Sequence, residues 1–150
     1  MNNYYIHKIL IPIDFSMVSA NVLETGLSIC KSQFATMDLM HIMESAPETS
    51  STDSDATGLS DRVKHANEVL TEMAKEIRVS HNVVVTHFVH LGNPAEEICH
   101  WASLKKIDLI VLGSHESDKY NDFFLGSNAY QILKNAPCPV MVVRPIVTEI

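Results

Sequence analysis

Short, nearly continuous apolar runs recur along the chain. They are rich in β-branched residues and cover residues 9–13, 39–43, 83–85, 109–112 and 140–143. Strands of a parallel sheet have this pattern because helices bury both of their faces. The runs therefore predict five parallel strands.

Amphipathic segments with apolar residues every three or four positions lie between these runs. In the first two segments the apolar stripes consist of Ala20, Leu23, Leu27, Cys30 and Phe34, and of Val63, Ala66, Leu70, Met73 and Ile77. The pattern predicts one helix in each segment. Ser16 is a candidate N-cap of the first helix, and Ser60 or Asp61 of the second.

Two further helices complete the alternation. Pro94 suits the first turn of a helix that continues through Ile98, and the next helix runs from Ser127 to Lys134, before Pro137. Strict alternation of strands and helices predicts an α/β fold, with one doubly wound parallel sheet and helices on both faces. In such sheets, ligands bind beyond the carboxyl ends of the strands, where the strand order reverses.

The composition fits one globular domain over residues 1–150. The chain has 150 residues, of which 46% are hydrophobic and 19% charged. Its formal charge is −7, from 11 Lys and Arg against 18 Asp and Glu, and the longest basic cluster is Lys105-Lys106. This balance argues against nucleic acid as a partner, because proteins that bind it usually carry a basic surplus on one face.

Membrane and secretory segments are not evident in the sequence. No apolar run approaches the roughly 20 residues needed to cross a bilayer, and the start of the chain lacks a basic flank followed by an apolar stretch. The three cysteines, Cys30, Cys99 and Cys138, are far apart, and no pair has CxxC spacing. We therefore expect a cytoplasmic protein with reduced thiols and no membrane partner.

One acidic stretch predicts a mobile loop. Residues 44–61 contain eight Ser or Thr and five acids but no Lys or Arg. Such a segment buries too little apolar surface to offset the entropy lost on ordering, so we expect residues 45–58 to move in the free protein. The loop could act as a lid or simply connect two elements.

Candidate binding residues follow the predicted strands. Gly113 follows the fourth strand, and Gly126 and Ser127 begin the next helix, whose unpaired N–H groups and positive dipole end attract phosphate. A glycine turn with an ordinary serine cap would look the same. Asp14 follows the first strand, where it could accept ribose hydroxyls, hold a metal or cap the first helix.

Metal-binding and nucleophilic sites find no support in the residue spacing. His87 and His90 lie three apart on a strand and so face opposite sides, and Cys99 and His100 are adjacent on a helix. The sequence contains no GxSxG turn, and no cysteine has neighbours that would lower its pKa. We therefore predict neither a structural metal nor a catalytic residue.

Several segments resemble the universal stress protein family. They are IPIDFS, LMHIME, GNPAEEI, DLIVLGSH and LGSNAYQILKNAPCPVMVVRP, which together span most of the chain. The resemblance implies a five-stranded sheet of order 3-2-1-4-5 and a cytoplasmic protein regulated with stress or growth arrest. It also implies a homodimer, formed by pairing of the edge strand from Pro139 to Arg144 with its copy.

ATP-binding members of this family share a glycine pattern: Gly, two residues, Gly, nine residues, then Gly and Ser or Thr. Gly113 and Gly126-Ser127 match this pattern, whereas Glu116 stands at the second glycine and His115 at a position that is usually basic. A carboxylate within about 4–6 Å of a triphosphate adds a repulsion of a few kcal/mol. We therefore expect ATP to lose more affinity than ADP or AMP relative to a member with the full pattern, with Mg²⁺ narrowing the difference.

Carried over residue by residue, the resemblance implies a nucleotide site formed by Pro12, Asp14, Ile42, Leu112, Gly113, Gly126, Ser127 and Asn128. Asp14 would bond the ribose, the Ile42 backbone would contact adenine, and Gly126 with its two successors would hold the phosphates. This favours a regulator or sensor that binds an adenine nucleotide and hydrolyses ATP slowly at most. The alternative is a dimeric interaction module that works without nucleotide.

Overall fold

Five parallel strands and four helices alternate in the computed structural model, which describes residues 3–15, 17–44, 53–114 and 126–144. The elements are β1 (Lys8–Pro12), α1 (Met17–Gln33), β2 (Thr36–Met43), α2 (Asp53–His81), β3 (Val85–Leu91), α3 (Pro94–Leu104), β4 (Leu109–Gly113), α4 (Ser127–Asn135) and β5 (Val140–Val143). Within the described ranges, no helix is both long and apolar enough to span a membrane.

The strands form one sheet in the order β3-β2-β1-β4-β5. Every neighbouring pair is parallel, with β1 in the centre between β2 and β4. This confirms the predicted fold and strand order, including the position of β5 at one edge. The order reverses at β1, so the connections that follow β1 and β4 lead to opposite faces of the sheet. This leaves room for a ligand at the carboxyl ends of the two strands.

Alternate residues of the central strands enter two separate cores. Ile9 and Ile11 pack with α1 and α2 on one face, whereas Leu10 packs with α3 and α4 on the other. All three side chains are fully buried. Since successive side chains of a strand point to opposite faces, two helical layers need apolar residues at every position, which explains the continuous apolar runs.

Helix α1 approaches β1 closely at a buried glycine. A Cβ atom on Gly26 would collide with the Ile11 side chain and lie 3.2 Å from Ile9 Cδ1. We expect Gly26→Ala to lower the free energy of unfolding by about 1–3 kcal/mol, because overpacking outweighs the better helix propensity of alanine. Urea unfolding measures this change.

Gly58 in α2 provides the matched control, since a Cβ atom there would meet nothing within 4 Å. Gly58→Ala should therefore stabilise the protein by about 0.5–1 kcal/mol through propensity alone. Stabilisation of similar size by both substitutions would contradict the close packing of α1 on β1.

The third strand lies later in the chain than predicted. The apolar run at 83–85 suggested a strand there, but β3 spans Val85–Leu91, and Val84 is 66% exposed. The prediction is wrong because β3 is an edge strand: among the described strands only β2 pairs with it, and after the buried Val85 its residues are half-buried or exposed. An edge strand therefore lacks the continuous apolar run of a central one.

Phe34 is wrongly placed in the apolar stripe of α1. The helix ends at Gln33, and Phe34 has a left-handed backbone (φ 57°) and is 93% exposed. Leu27 and Cys30 are buried as predicted, whereas Ala20 is exposed. The predicted stripe is out of phase with the buried face of α1 at both ends, because that face is centred on Val22 and Gly26.

Helix α2 begins earlier than the sequence indicated. It starts at Asp53, so neither Ser60 nor Asp61 can be its N-cap, and the predicted loop at 44–61 extends too far. Half-buried Leu59 continues the stripe of Val63 and Leu70 by one more turn, which explains the longer helix. The predicted cap Ser16, residues 45–52 of the acidic stretch and the segment 115–125 with Glu116 lie outside the described residues.

Candidate functional site

A cavity of about 290 Å³ opens at the carboxyl ends of the strands, next to β1. All eight residues predicted as the site line it, namely Pro12, Asp14, Ile42, Leu112, Gly113, Gly126, Ser127 and Asn128. Its lining also includes Ile13, Met40, Pro94, Ile98, Ala129 and Ile132. The volume is at the lower end of the range for small-molecule sites.

The floor and one wall of the cavity are apolar. Met40 is fully buried, and Ile98 and Ile132 are each 3% exposed, so these side chains belong to the core between the sheet, α3 and α4. A flat heterocycle could bury its faces against such a wall, while backbone groups at the strand ends remain available for its polar edge.

The turn after β1 positions Asp14 at the mouth of the cavity. The Ile13 N–H donates to the Met40 carbonyl (2.8 Å), and His41 Nδ1 lies 2.6 Å from the Ile13 carbonyl oxygen. Because a carbonyl only accepts, His41 must carry its proton on Nδ1. The ring of Phe15 packs on His41, with 4.4 Å between ring centroids. These contacts hold the backbone on both sides of the exposed Asp14.

Helix α4 directs its N-terminus towards the opposite side of the cavity. Gly126 is the N-cap (φ −57°, ψ 153°) and, being a glycine, has no side chain that could accept a hydrogen bond from the first turn. Ser127 is the first helical residue, so the alternative of an ordinary serine cap is wrong. The cap residue therefore leaves the first N–H groups of α4 available to an anion, and the helix dipole favours one there.

The β3–α3 connection forms the third side. The Gly92 N–H donates to the Met43 carbonyl (3.0 Å), and Asn93 caps α3 by accepting from the Glu96 N–H (3.1 Å). Pro94 occupies the first turn of α3, as predicted, and lines the cavity. Gly92 has φ 144°, a conformation that strongly favours glycine.

Charge in the cavity comes from one carboxylate. Among the described residues that line it, Asp14 is the only ionisable one, and there is no Lys, Arg or His. A phosphate would therefore be held by backbone N–H groups and the dipole of α4 rather than by side-chain cations. Because the described lining residues include no cation, an acidic side chain added to such a site would weaken phosphate binding.

The cysteines and histidines do not form a reactive centre in the described part of the chain. Burial raises the pKa of all three cysteines, that of Cys30 to about 11, which agrees with the expectation of no lowered thiol pKa. His87 contacts Thr71 on α2 (3.0 Å) and His90 contacts Glu97 on α3 (3.3 Å), so the two rings face opposite sides as predicted. No described group of three His, Cys, Asp or Glu could hold a metal ion.

A buried acid in β2, next to α3, is not evident from the sequence. Asp38 is 3% exposed, and its carboxylate accepts hydrogen bonds from Thr86 Oγ1 and from Trp101 Nε1 (3.0 Å). Trp101 also packs on Phe88, with ring centroids 4.0 Å apart. A single acid in a strand carries no sequence signal that would reveal this network.

Comparisons with known proteins agree with the fold. The sequence profile of the universal stress protein family matches residues 6–144. Universal stress protein YxiE of Bacillus subtilis (strain 168) is 31% identical over 149 residues, which cover 92% of this chain and 99% of that protein. Universal stress protein UspA from Lactobacillus plantarum superposes with a TM-score of 0.82 at 24% identity, over 95% of this chain and all of that one.

Two further structures of similar fold were solved with adenine nucleotides. One is a universal stress protein in complex with cAMP (TM-score 0.67, 16% identity, covering 93% of this chain and 97% of that one). The other is the universal stress protein from Archaeoglobus fulgidus in complex with dAMP (TM-score 0.65, 19% identity, covering 93% and 98%). At these identities the likeness shows the fold alone.

Proposed function

The chain belongs to the universal stress protein family, and on that premise we propose that it is a cytoplasmic regulator or sensor that binds an adenine nucleotide in the strand-end cavity. One observation carries the proposal: the eight residues chosen from sequence come from separate segments, and all of them line this single cavity. The cAMP and dAMP complexes of proteins with the same fold support it.

Each side of the cavity suits a different part of the nucleotide. In the proposed complex the base lies on the apolar wall near the Ile42 backbone, and Asp14 accepts hydrogen bonds from the ribose. Leu112 and Gly113 line the ribose and the first phosphate. The phosphates contact the N–H groups at the start of α4, from Gly126 onwards, where the cap residue has no side chain to compete.

The proposal includes a ranking of ligands. No cation among the described lining residues offsets phosphate charge, and Glu116 replaces a glycine of the family pattern. Like-charge repulsion grows with the number of phosphates, so AMP and ADP lose less affinity than ATP relative to a member with the full pattern. Mg²⁺ would reduce this difference by bridging carboxylate and phosphate oxygens.

Calorimetric titration of the purified protein with AMP tests the site directly. Asp14→Ala should weaken AMP binding by tenfold or more, because hydrogen bonds to a charged group contribute about 1.5–3 kcal/mol. Glu44→Ala is the matched control, since Glu44 is an exposed acid at the same edge of the sheet but does not line the cavity.

Equal affinity of the wild type and Asp14→Ala would contradict the assignment of Asp14. If the wild type binds no adenine nucleotide at millimolar concentration, the cavity is vestigial and the protein acts as an interaction module. The geometry that favours this second function is the β5 edge described next.

We further propose that the protein is a homodimer formed through β5. Among the described strands, β5 pairs only with β4, which leaves the N–H and C=O groups of its outer side available to a second copy. Its residues are half-buried or exposed, and Tyr130 and Leu133 on the neighbouring α4 are exposed as well. An apolar edge of this kind is suited to two-fold pairing.

A further inference from the structure

Five large apolar side chains are exposed at the amino-terminal edge of the sheet, the end opposite to the cavity. This amino-edge surface consists of Tyr4 (62% exposed), Tyr5 (60%), Phe34 (93%), Val84 (66%) and Leu104 (60%). They precede β1, β2, β3 and β4, which run parallel and therefore begin at the same edge. Large exposed apolar groups gathered at one edge of a sheet favour an interaction site there.

Backbone hydrogen bonds place these segments side by side. The Thr36 N–H donates to the His7 carbonyl (2.9 Å) and the Met37 N–H to the Val84 carbonyl (2.9 Å), so the chain after Phe34 lies between the other two segments. On the far side, the Tyr4 hydroxyl donates to the Asp108 carbonyl (2.6 Å). Four adjacent strand starts make a strip roughly 15 Å across.

The packing of the free protein does not explain why residue 34 is a phenylalanine. The Ala35 N–H donates to the Cys30 carbonyl (3.1 Å), which makes Phe34 the C′ residue at the end of α1, with φ 57°. Glycine is the usual residue at this position because a bulky side chain is strained there. Phenylalanine adds both backbone strain and a solvated ring, and glycine would relieve both. Its presence indicates a contact that the free protein does not make.

Cations border the same surface. Lys31, Lys105 and Lys106 are exposed at the ends of α1 and α3, in a chain whose formal charge is −7. Two acids lie nearby: Asp38 is buried against Trp101, whereas Asp108 is half-buried, accepts from the N–H groups of His7 and Lys8, and keeps its charge. The amino-edge surface therefore combines apolar contact area with local positive charge.

We propose that the amino-edge surface docks a short acidic segment of a partner protein that carries aliphatic or aromatic side chains between its carboxylates. The charge favours acidic residues, and the width of the strip suits one extended segment rather than the roughly 800 Å² per partner of a standard interface. A second copy would oppose lysines to lysines across a two-fold axis. An anionic membrane usually requires a cluster of four to eight cations, and the net charge of −7 opposes its approach.

Selection from a phage-displayed library of random short peptides tests this proposal. We expect the wild-type protein to select peptides in which Asp or Glu alternate with Leu, Ile or Phe. Phe34→Gly should raise the urea midpoint of unfolding and weaken binding of the selected peptide by about tenfold or more. Leu91→Ser is the matched control, since it removes an exposed apolar side chain at the opposite end of the sheet and should leave peptide affinity unchanged.

Three kinds of result would overturn the proposal. The first is an unexpected peptide result: the wild type selects basic or purely apolar peptides, or Phe34→Gly binds the selected peptide as tightly as the wild type does. The second is binding to phosphatidylserine-containing vesicles that Phe34→Gly abolishes, which would assign the surface to membranes. The third is self-association of the wild type that is lost in Phe34→Gly. Nucleotide affinity should be the same in all variants, so failure here is distinguishable from failure of the proposed nucleotide site.

Discussion

Exchanging Glu116 for glycine is expected to strengthen ATP binding by tenfold or more while changing AMP binding much less. The substitution restores the family's glycine pattern and removes a carboxylate from the segment between β4 and α4, and the described lining of the cavity contains no cation. A repulsion of a few kcal/mol between a carboxylate and a triphosphate corresponds to at least this change in affinity. Calorimetry with AMP and ATP, each with and without Mg²⁺, measures it.

Asp118→Gly is the control for this experiment. It removes an acid from the same stretch of chain, at a position where the pattern requires no glycine. If Asp118→Gly strengthens ATP binding as much as Glu116→Gly does, overall loop charge rather than the glycine position limits the affinity. We also expect Mg²⁺ to help the wild type more than Glu116→Gly, because only the wild type has the carboxylate to bridge.

Met141→Lys should convert the proposed β5-paired dimer to monomers at micromolar concentration. Val142 packs into the core behind α4, so its substitution would confuse unfolding with dissociation, whereas Met141 is 39% exposed on the edge strand. A lysine on an edge strand opposes strand pairing, since two of them would meet across the two-fold axis. Sedimentation velocity measures the assembly, and circular dichroism verifies the fold.

Leu91→Lys serves as the control on the opposite edge strand, where Leu91 is 46% exposed at the end of β3. It should leave the dimer intact. A wild type that sediments as a monomer at all concentrations would refute pairing through β5, and so would a dimer that survives Met141→Lys.

The central sheet was predictable from sequence because its burial is extreme. Ile9, Ile110 and Val111 lie on strands covered by helices on both sides, and full burial on both faces leaves a continuous apolar run. The periphery lacks this constraint. Strand β3 mixes His and Thr with apolar residues, and Phe34 fits a helical period although it lies beyond the helix end. Local pattern cannot distinguish these cases from core positions.

The candidate site was predictable where the backbone needs special residues. The glycines at the end of β4 and before α4, and the acid that follows β1, can be recognised in the sequence itself. Its apolar wall was not predictable: Met40, Ile98 and Ile132 belong to three elements and resemble any other core residue until the fold brings them together. The resemblance to a family supplied Ile42 and Leu112, which no local signal indicates.

The dispersed origin of the cavity lining ties ligand occupancy to the lifetime of the whole protein. The lining residues lie between Pro12 and Ile132 in the sequence, and each side of the cavity comes from a different segment of the chain. A ligand that fits it binds the native state and not the unfolded chain, so a ligand at 100 times its dissociation constant adds about 2.7 kcal/mol to the free energy of unfolding. Depletion of that ligand would then shorten survival against proteolysis, and the amount of the protein in the cell would itself report the ligand's concentration.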